Sequence, residues 1–330
     1  MAVIEVNQLV KKFRELTAVD QVSFDVEEGE IFGFLGPNGA GKTTTINILC
    51  TLLKPTAGRA RVNGYDVIRQ PELVRRSIGL VFQEPSLDEQ LTAQENLDFH
   101  ATLYDVPGSA KAGRIEEALK MVELYDRRNH LVRDFSGGMK RRLELARGLI
   151  HYPKVLFLDE PTLGLDPQTR SRIWEYILHL REREGITIFL TTHYMDEAEN
   201  AHRIGVIDYG RIVALDTPER LKDLVGGDII TLRTANDEMA AREIEERFGL
   251  SVNGRQDEQE GLWLEVPKGE EFIPLLVSKL ETPIVAVSLR RPTLDDVFLK
   301  LTGRQIREEK MSQRDRLRTR FARGPRMRGH

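Results

Sequence analysis

The chain has 330 residues, of which 40% are hydrophobic and 30% are charged, and its formal net charge is −4. This composition excludes a disordered or fibrous protein, and the length allows one large domain with a smaller one beside it. The single cysteine, Cys50, excludes an internal disulfide framework, which fits a reducing cytosol, and its apolar neighbours predict a core thiol. Because no apolar run reaches about 18 residues and the N-terminus lacks a signal pattern, we expect no membrane span.

Strands alternate with helices from the first residue to about residue 226, which predicts a largely parallel α/β core. Near the start, the short alternating segments AVIEV, VSFDV and RARVNG predict a small antiparallel sheet beside that core. The segments IFGFLG, VLFLDE and ITIFLTTH are more continuously apolar, as central parallel strands are. Residues 90–150 have a mostly helical pattern that interrupts the strands, so we expect an inserted helical subdomain there.

A phosphate loop is predicted between the first central strand and the following helix. The segment GPNGAGKTT matches the pattern G-x-x-x-x-G-K-[ST], and it has the strand before it and the helix after it that this motif requires. Its glycines let backbone N–H groups turn toward an anion, and the helix N-terminus adds a partial positive charge. We expect Lys42 to reach the β- and γ-phosphates and Thr43 to ligate Mg²⁺. The residues predicted to contact the nucleotide here are Gly36, Pro37, Asn38, Gly39, Ala40, Gly41, Lys42, Thr43 and Thr44.

Four polar side chains follow the ends of other apolar strands. Asp159 and Glu160 end VLFLDE; we expect Asp159 to hold Mg²⁺ and Glu160 to act as general base toward the attacking water. Gln83 follows IGLVF, and its amide could contact Mg²⁺ or a water bound to it. His193 ends ITIFLTTH and could donate a hydrogen bond to a γ-phosphate. Alone, such a glutamine or histidine is weak evidence, but their occurrence with a phosphate loop favours functional roles.

Together these motifs resemble the nucleotide-binding subunit of an ABC transporter. The motifs of that family appear in its order: Walker A (GPNGAGKTT), the Q-loop glutamine Gln83, the signature FSGGM, Walker B (VLFLDE), the D-loop Gly164–Asp166 and the switch histidine His193. The resemblance covers about residues 3–225. It implies ATP as the bound nucleotide and ATP hydrolysis as the activity.

The same resemblance implies a fold. We expect a P-loop ATPase domain over residues 1–226, composed of a RecA-like core, an antiparallel β subdomain and the helical subdomain of about residues 90–150. It also implies that an aromatic ring stacks on the adenine. Phe13 occupies that position, where the family often has tyrosine.

The signature segment DFSGGMKRRLELARGLI begins a basic, amphipathic helix. Ser136 is a good N-cap residue, and Gly137 and Gly138 follow it at the helix start. An isolated Ser-Gly-Gly would more simply be a capped helix. Helical spacing predicts that the helix packs against its own subdomain and leaves its N-terminus exposed; the apolar residues concerned are Leu143, Ala146, Leu149 and Ile150.

The resemblance implies that two subunits pair head to tail, so that each ATP lies between one phosphate loop and the Ser-Gly-Gly of the other subunit. Ser136 and Gly138 would then donate to the γ-phosphate, and Asp166 would lie at the seam between subunits. Phe135 and Met139 replace the leucine and glutamine that the family usually has, and neither change removes a donor. Because no motif is degenerate, both sites of a homodimer are expected to hydrolyse ATP.

After residue 226 the pattern restarts and predicts a small ferredoxin-like domain over residues 227–303. Its β-α-β-β-α-β order comprises a strand at 228–234, a helix at 237–248, strands near 250–254 and 261–266, a helix at 270–280 and a strand at 284–289. A final helix, TLDDVFLKL, closes it.

The remaining residues, 304–330, contain nine Arg and one Lys against three acidic residues, a net charge of +7, whereas the rest of the chain has −11. We expect this tail to be disordered when free. The hypotheses for it are no function, attraction to the anionic surface of the cytoplasmic membrane, or nucleic-acid binding, in that order.

Two further segments, THYMDEAENAHRIGVIDYGRIVALDTPERL and LRRPTLDDVFLKLTGR, resemble the daunorubicin-resistance-type ATPases of type 2 ABC exporters. This implies a peripheral subunit at the cytoplasmic face of the membrane, paired with a separate permease that exports a drug-like or lipophilic substrate. The alternative is a nucleic-acid- or ribosome-associated ABC ATPase, which only the basic tail favours. A regulator that binds ATP without hydrolysis is disfavoured because Lys42, Asp159, Glu160 and His193 are intact. The sequence identifies neither the transported substrate nor the permease.

Overall fold

The computed structural model describes residues 2–84, 86–252 and 261–303. Its strands are β1 (Ala2–Phe13), β2 (Leu16–Glu27), β3 (Ile31–Leu35), β4 (Ala57–Val62), β5 (Tyr65–Asp66), β6 (Ile78–Val81), β7 (Val155–Asp159), β8 (Thr187–Thr192), β9 (Arg203–Asp208), β10 (Arg211–Asp216), β11 (Asp228–Thr234), β12 (Leu262–Val266) and β13 (Ile284–Arg290). Its helices are α1 (Lys42–Leu49), α2 (Pro71–Ser77), α3 (Ala93–Leu103), α4 (Gly108–Met121), α5 (Gly137–Leu149), α6 (Pro167–Glu184), α7 (Met195–Ala198), α8 (Pro218–Asp223), α9 (Asp237–Phe248), α10 (Gly269–Lys279) and α11 (Leu294–Thr302). In the ranges described, no helix is both long and apolar enough to cross a membrane.

The central sheet has the strand order β10-β9-β3-β8-β7-β6, and every neighbouring pair except β10 and β9 is parallel. Strands β3, β7 and β8 are buried along their whole length, which explains their continuously apolar sequences. The register pairs Leu35 with Thr192 and Asp159 with Thr191, so the carboxyl ends of these three strands meet at one edge. The predicted parallel α/β core is therefore confirmed.

A second sheet, with the order β2-β1-β4-β5, is antiparallel and corresponds to the one predicted near the start of the chain. Aromatic rings join it to the central sheet. The Phe24 ring of β2 stacks on Phe32 of β3, with ring centres 5.3 Å apart, and on Phe189 of β8 at 5.8 Å. Such pairs stabilise the contact beyond the area that they bury, and they fix the position of β2 beside the loop that follows β3.

Helices α3, α4 and α5 pack on one another around a cluster of buried apolar side chains. The cluster contains Leu143, Ala146 and Ile150, as the helical spacing predicts. Leu149 instead packs with Leu145 in the central core, so the prediction that Leu149 faces the helical subdomain is wrong. Helix α5 lies between two apolar clusters and buries a face against each.

The C-terminal part contains a separate antiparallel sheet with the order β12-β11-β13, which α9 and α10 contact. The order is that of the third, first and fourth strands of a ferredoxin-like domain. Of the predicted second strand, near 250–254, residues 250–252 are described and form no strand, and residues 253 and 254 lie outside the described residues. Helix α11 packs against α7 and α8. Its residues Leu294 and Phe298 join the central core, and Lys300 Nζ donates to the Val225 carbonyl at 2.6 Å. The predicted basic tail, 304–330, also lies outside the described residues.

A stack of aromatic rings connects the end of α3 to the segment between α5 and β7. The Tyr104 ring lies 3.9 Å from the ring of His151 and 4.9 Å from that of His100. Burial lowers the pKa of His100 to about 4, and the positive charge of Arg147 contributes to this. Burial also lowers the pKa of His151. Both imidazoles are therefore neutral in the folded chain near neutral pH.

We expect acidification below about pH 6.5 to destabilise the chain through His100, because the unfolded state binds a proton there that the folded state excludes down to about pH 4. His100→Phe keeps a ring against Tyr104 and removes the titration. The free energy of unfolding of this variant should therefore fall less on acidification than that of the wild type. The difference is up to roughly 1.4 kcal/mol per pH unit before solvent screening. Urea unfolding at pH 7 and pH 5 measures the difference. The matched control is His179→Phe, at an exposed position of α6. If the wild type and both variants lose the same free energy of unfolding between pH 7 and pH 5, the assignment to His100 is contradicted.

Candidate active site

The phosphate loop turns from β3 into α1 in a conformation that depends on close backbone approaches. The Gly36 N–H donates to the carbonyl of Thr192, at the end of β8, over 3.2 Å. Gly41 has a φ of 108°, and a Cβ atom there would lie 2.5 Å from the Ala18 carbonyl oxygen of β2. Only glycine fits this position without displacing β2. The loop is therefore fixed on one side by the central sheet and on the other by the antiparallel sheet.

The Lys42 side chain turns into this loop. It is only 4% exposed, and its Nζ donates to the carbonyls of Gly36 at 2.7 Å and Pro37 at 3.1 Å. The same Nζ lies 3.2 Å from Glu160 Oε1. Burial lowers the pKa of Lys42, and the negative charges of Glu160 and Asp159 partly offset that effect. The result is a desolvated cation directed by carbonyl groups and one carboxylate.

Two hydroxyl groups surround Asp159 at the end of β7. Its Oδ1 accepts from Thr191 at 2.6 Å and from Thr43 at 3.3 Å. Burial raises the pKa of Asp159, although both hydrogen bonds favour the charged form. A buried carboxylate beside a threonine hydroxyl matches the oxygen ligands that Mg²⁺ prefers, so Thr43 and Asp159 fit the predicted metal. Thr191 was not predicted; it faces Asp159 because the two residues are partners in the β7–β8 register.

Glu160 leaves the end of β7 in a left-handed conformation, with a φ of 46°. Its N–H donates to the hydroxyl and carbonyl oxygens of Thr191, at 3.1 and 3.2 Å, which directs its side chain toward Lys42. His193 Nδ1 lies 3.2 Å from Glu160 Oε1, without the alignment of a hydrogen bond. Burial opposes the charged form of Glu160, but His193 and Lys42 outweigh it and lower the pKa. The carboxylate is therefore charged and able to accept a proton.

The remaining predicted side chains lie around this centre. Gln83 is exposed just beyond β6, beside the end of β7, and its described contacts include no bond to Asp159 or Thr43. Phe13 ends β1, is 44% exposed, and has the Lys11 ammonium 5.0 Å from its ring centre. An exposed aromatic face at this point can stack on a planar base. The loop residues Asn38, Gly39 and Thr43 are exposed, and Thr44 is partly exposed.

A buried arginine on α5 connects several of these elements, and the sequence did not reveal it. Arg141 donates to the main-chain oxygens of Asp159 and Glu160, both at 3.2 Å, and to those of Phe82 and Pro161. It also pairs with the fully buried Glu144 at 3.1 Å. In the segment MKRRLE this residue is indistinguishable from those of a solvated basic face. Its contacts fix the segment before Gln83 to the end of β7.

The Ser-Gly-Gly segment begins α5 as predicted. The exposed Ser136 is the N-cap, and its Oγ accepts from the Met139 N–H at 3.3 Å. Asp166 caps α6 in the same way, accepting from the Thr169 N–H at 3.0 Å. A Cβ on Gly138 would lie 2.6 Å from Thr169 Cγ2, so the start of α5 packs directly on the first turn of α6. The described contacts of Gly137 and Gly138 are with Leu165 and Thr169, at the start of α6, and they include none with Lys42.

Comparison with known proteins identifies the family of this chain. A family model described as ABC transporter matches residues 19–163. The chain is 42% identical over 313 residues to the daunorubicin resistance ATP-binding protein DrrA3 of Streptomyces coeruleorubidus, and the match covers 92% of this chain and 98% of that protein. The chain belongs to the ABC transporter ATP-binding proteins. It is accordingly an ATP-binding protein and an ATPase.

Two further similarities support this assignment. This ABC ATPase is 39% identical over 306 residues to the daunorubicin/doxorubicin resistance ATP-binding protein DrrA of Streptomyces peucetius, with 91% of this chain and 92% of that protein covered. Among solved structures it resembles the ATP-binding cassette MJ0796 in a dimeric, post-hydrolysis state bound to ADP and phosphate. The TM-score is 0.60 at 30% identity, covering 65% of this chain and 98% of that one. The P-loop ATPase fold predicted from the motifs is confirmed.

The contact between α5 and α6 gives a stability prediction with a control one residue away. Gly138→Ala places a methyl group against Thr169 and should lower the free energy of unfolding by about 1–3 kcal/mol. Gly137→Ala meets only Leu165 Cδ2, at 3.9 Å, and should change stability by less than about 1 kcal/mol. Urea unfolding of the nucleotide-free proteins compares the two. Equal stability of both variants would show that α5 does not pack on α6 in this way.

Proposed function

We propose that this ABC ATPase binds ATP between two head-to-tail copies and uses its hydrolysis to energise a separate membrane permease that exports a drug-like or lipophilic substrate. The observation that supports the pairing is the exposed start of α5. Ser136 and Gly137 form a capped, solvent-facing helix N-terminus that packs on α6 of its own chain and leaves its donors directed outward. Such an N-terminus attracts phosphate groups. The residues around Lys42 would contact the ATP on one side, and the start of α5 of the second copy would contact it on the other.

The contacts of Lys42 suggest how ATP prepares its own hydrolysis. Lys42 Nζ lies 3.2 Å from Glu160, and phosphate oxygens would compete for the same ammonium group. Glu160, whose pKa His193 and Lys42 hold below its usual value against the effect of burial, would then be free to accept a proton from the attacking water. We propose that His193 contacts the γ-phosphate. Thr43, Asp159 and Gln83 would hold Mg²⁺, which neutralises charge on the phosphates.

Hydrolysis would reverse the pairing. The γ-phosphate is the group that Ser136 and Gly138 of the second copy would contact, so its loss removes the interactions across the seam near Asp166 and the pair opens. The related cassette MJ0796, solved as a dimer in a post-hydrolysis state bound to ADP and phosphate, supports this proposal. Phe13 would stack on the adenine. This cycle of closing and opening is the movement that a permease could use.

An exposed apolar face on α3 supports a permease partner. Phe99 and Leu103 are each 65% exposed and line a surface depression with neighbouring residues of the same helix. Helix α3 follows Gln83 in the chain, and its Asn96 forms two hydrogen bonds with the main chain of Asp88, so a permease element seated on α3 would bind close in sequence to the proposed metal ligand. Exposed apolar patches of this kind mark protein interaction sites. We therefore propose that the subunit lies at the cytoplasmic face of the membrane. The proposal of a drug-like substrate is based on the similarity to daunorubicin-resistance ATP-binding proteins.

Substitution of the proposed base tests the function. Glu160→Gln should reduce ATP turnover by at least about a hundredfold, because the proton acceptor is lost, while ATP still binds. ATP would then hold two copies together, and the variant should elute as a dimer from a sizing column with saturating ATP and Mg²⁺. Lys42→Ala is the control that should lose phosphate binding and remain monomeric. A Glu160→Gln protein that stays monomeric with ATP would contradict head-to-tail pairing.

We propose that the chain divides into an ATPase domain (1–226), an accessory domain (227–303) and a basic tail (304–330) that binds anionic membrane surface. The net charge of +7 supports membrane attraction, which is worth about 1 kcal/mol per basic residue near the surface. Deletion of 304–330 should reduce sedimentation with phosphatidylserine vesicles severalfold at low salt and have no effect with neutral vesicles. Equal sedimentation of the full chain and the truncated chain would contradict the role of the tail.

A further inference from the structure

The residue after the switch histidine forms a stack that the proposed function does not use. The Tyr194 ring lies 4.1 Å from the His193 ring, centre to centre. The guanidinium carbon of Arg170 lies 4.1 Å from the centre of the same Tyr194 ring, over its face. His193, Tyr194 and Arg170 therefore form a continuous series of contacts. It runs from the Glu160 carboxylate, which His193 contacts at 3.2 Å, to helix α6.

The position of Arg170 is fixed by carboxylates. Its Nη2 lies 3.2 Å from Glu197 Oε1 and 3.2 Å from Asp196 Oδ2. Glu197 is buried and also accepts from the hydroxyls of Thr192, at 2.8 Å, and Thr162. Thr192 ends β8 and Thr162 precedes the D-loop. Through Glu197, the guanidinium of Arg170 is therefore held in place relative to the end of β8 and to the segment before the D-loop.

Arg170 also belongs to the first turns of the helix that the D-loop begins. Asp166 is the N-cap of α6, and its carbonyl accepts from the Arg170 N–H at 2.9 Å. Because a helix moves as a unit over such a short span, a displacement of Asp166 would move Arg170 with it. Asp166 is exposed, at the proposed seam between two copies.

We propose that Arg170 is a positioning residue for His193, acting through the face of the Tyr194 ring. The contact of His193 with Glu160 is not a well-aligned hydrogen bond, so it restricts the orientation of the imidazole only weakly. The Tyr194 ring, held by the Arg170 cation over its face, lies against that imidazole and restricts its orientation further. The arrangement makes the alignment of the hydrolytic centre depend on the D-loop of the same chain. This inference rests on the proposed role of His193 at the γ-phosphate.

Steady-state ATP turnover of the full chain tests the proposal. Arg170→Ala and Tyr194→Ala should each lower kcat roughly tenfold, the order expected for one desolvated cation–π contact, and change KM for ATP by less than about twofold. Tyr194→Phe keeps the ring and should retain kcat, and Arg170→Lys, which keeps a cation, should be intermediate. Arg172→Ala, at an exposed position of the same helix, is the matched control and should behave as wild type.

The double variant separates a shared pathway from independent damage. If Arg170 acts through Tyr194, combining Arg170→Ala with Tyr194→Ala should lower kcat no further than either change alone. Losses that multiply would overturn the proposal, as would an Arg170→Ala protein that loses ATP affinity but retains kcat. Thermal unfolding identifies any variant that fails to fold, and Arg170→Lys and Tyr194→Phe, which preserve the packing, then decide the question.

His193→Ala distinguishes this inference from the proposed function. A His193→Ala protein with wild-type turnover would show that His193 has no role in hydrolysis, and the proposed function of that residue would fail. A slow His193→Ala protein together with Arg170→Ala and Tyr194→Ala proteins of wild-type kcat would overturn only the positioning role of Arg170.

Discussion

Lys42 and Glu160 form a buried ion pair, and the site depends on it. Removing an ammonium and a carboxylate from water costs several kcal/mol per ion, which their attraction offsets only when both are closely oriented by further hydrogen bonds. Here the carbonyls of Gly36 and Pro37 orient the ammonium, and His193 contacts the carboxylate. The pair therefore requires β3, β7 and β8 to end at the same edge of the sheet, in the register that the central core imposes.

The same burial assigns different properties to two adjacent carboxylates. The Asp159 carboxylate accepts hydrogen bonds from two hydroxyl groups, and burial raises its pKa. The Glu160 carboxylate contacts Lys42 and His193, and its pKa is lowered. Pairs of carboxylates whose environments separate their pKa values commonly divide two roles between them. For this ABC ATPase the division supports Asp159 as a ligand for a divalent cation, which would stabilise its charge, and Glu160 as a proton acceptor.

The motifs allowed much of the fold and site to be predicted, since a phosphate loop requires a strand before it and a helix after it. In the C-terminal part, β11 and α9 have the predicted bounds. Thr191 and Arg141 were missed because their partners are set by strand register and by helix packing, which single-sequence patterns do not contain. The error at Leu149 has a related cause. Helical spacing was interpreted as indicating one buried face of α5, whereas the helix is buried on two faces.

Mixing two inactive variants tests head-to-tail sharing of the active site most directly. Glu160→Gln removes the base beside one phosphate loop, and Ser136→Asp keeps a helix cap while placing a negative charge where a γ-phosphate would bind. If each site combines the two halves from different chains, a mixed pair has one intact site, and an equimolar mixture formed before ATP is added should recover about a quarter of wild-type turnover. If the mixture remains as inactive as the separate variants, the Ser-Gly-Gly does not complete the site of a second copy.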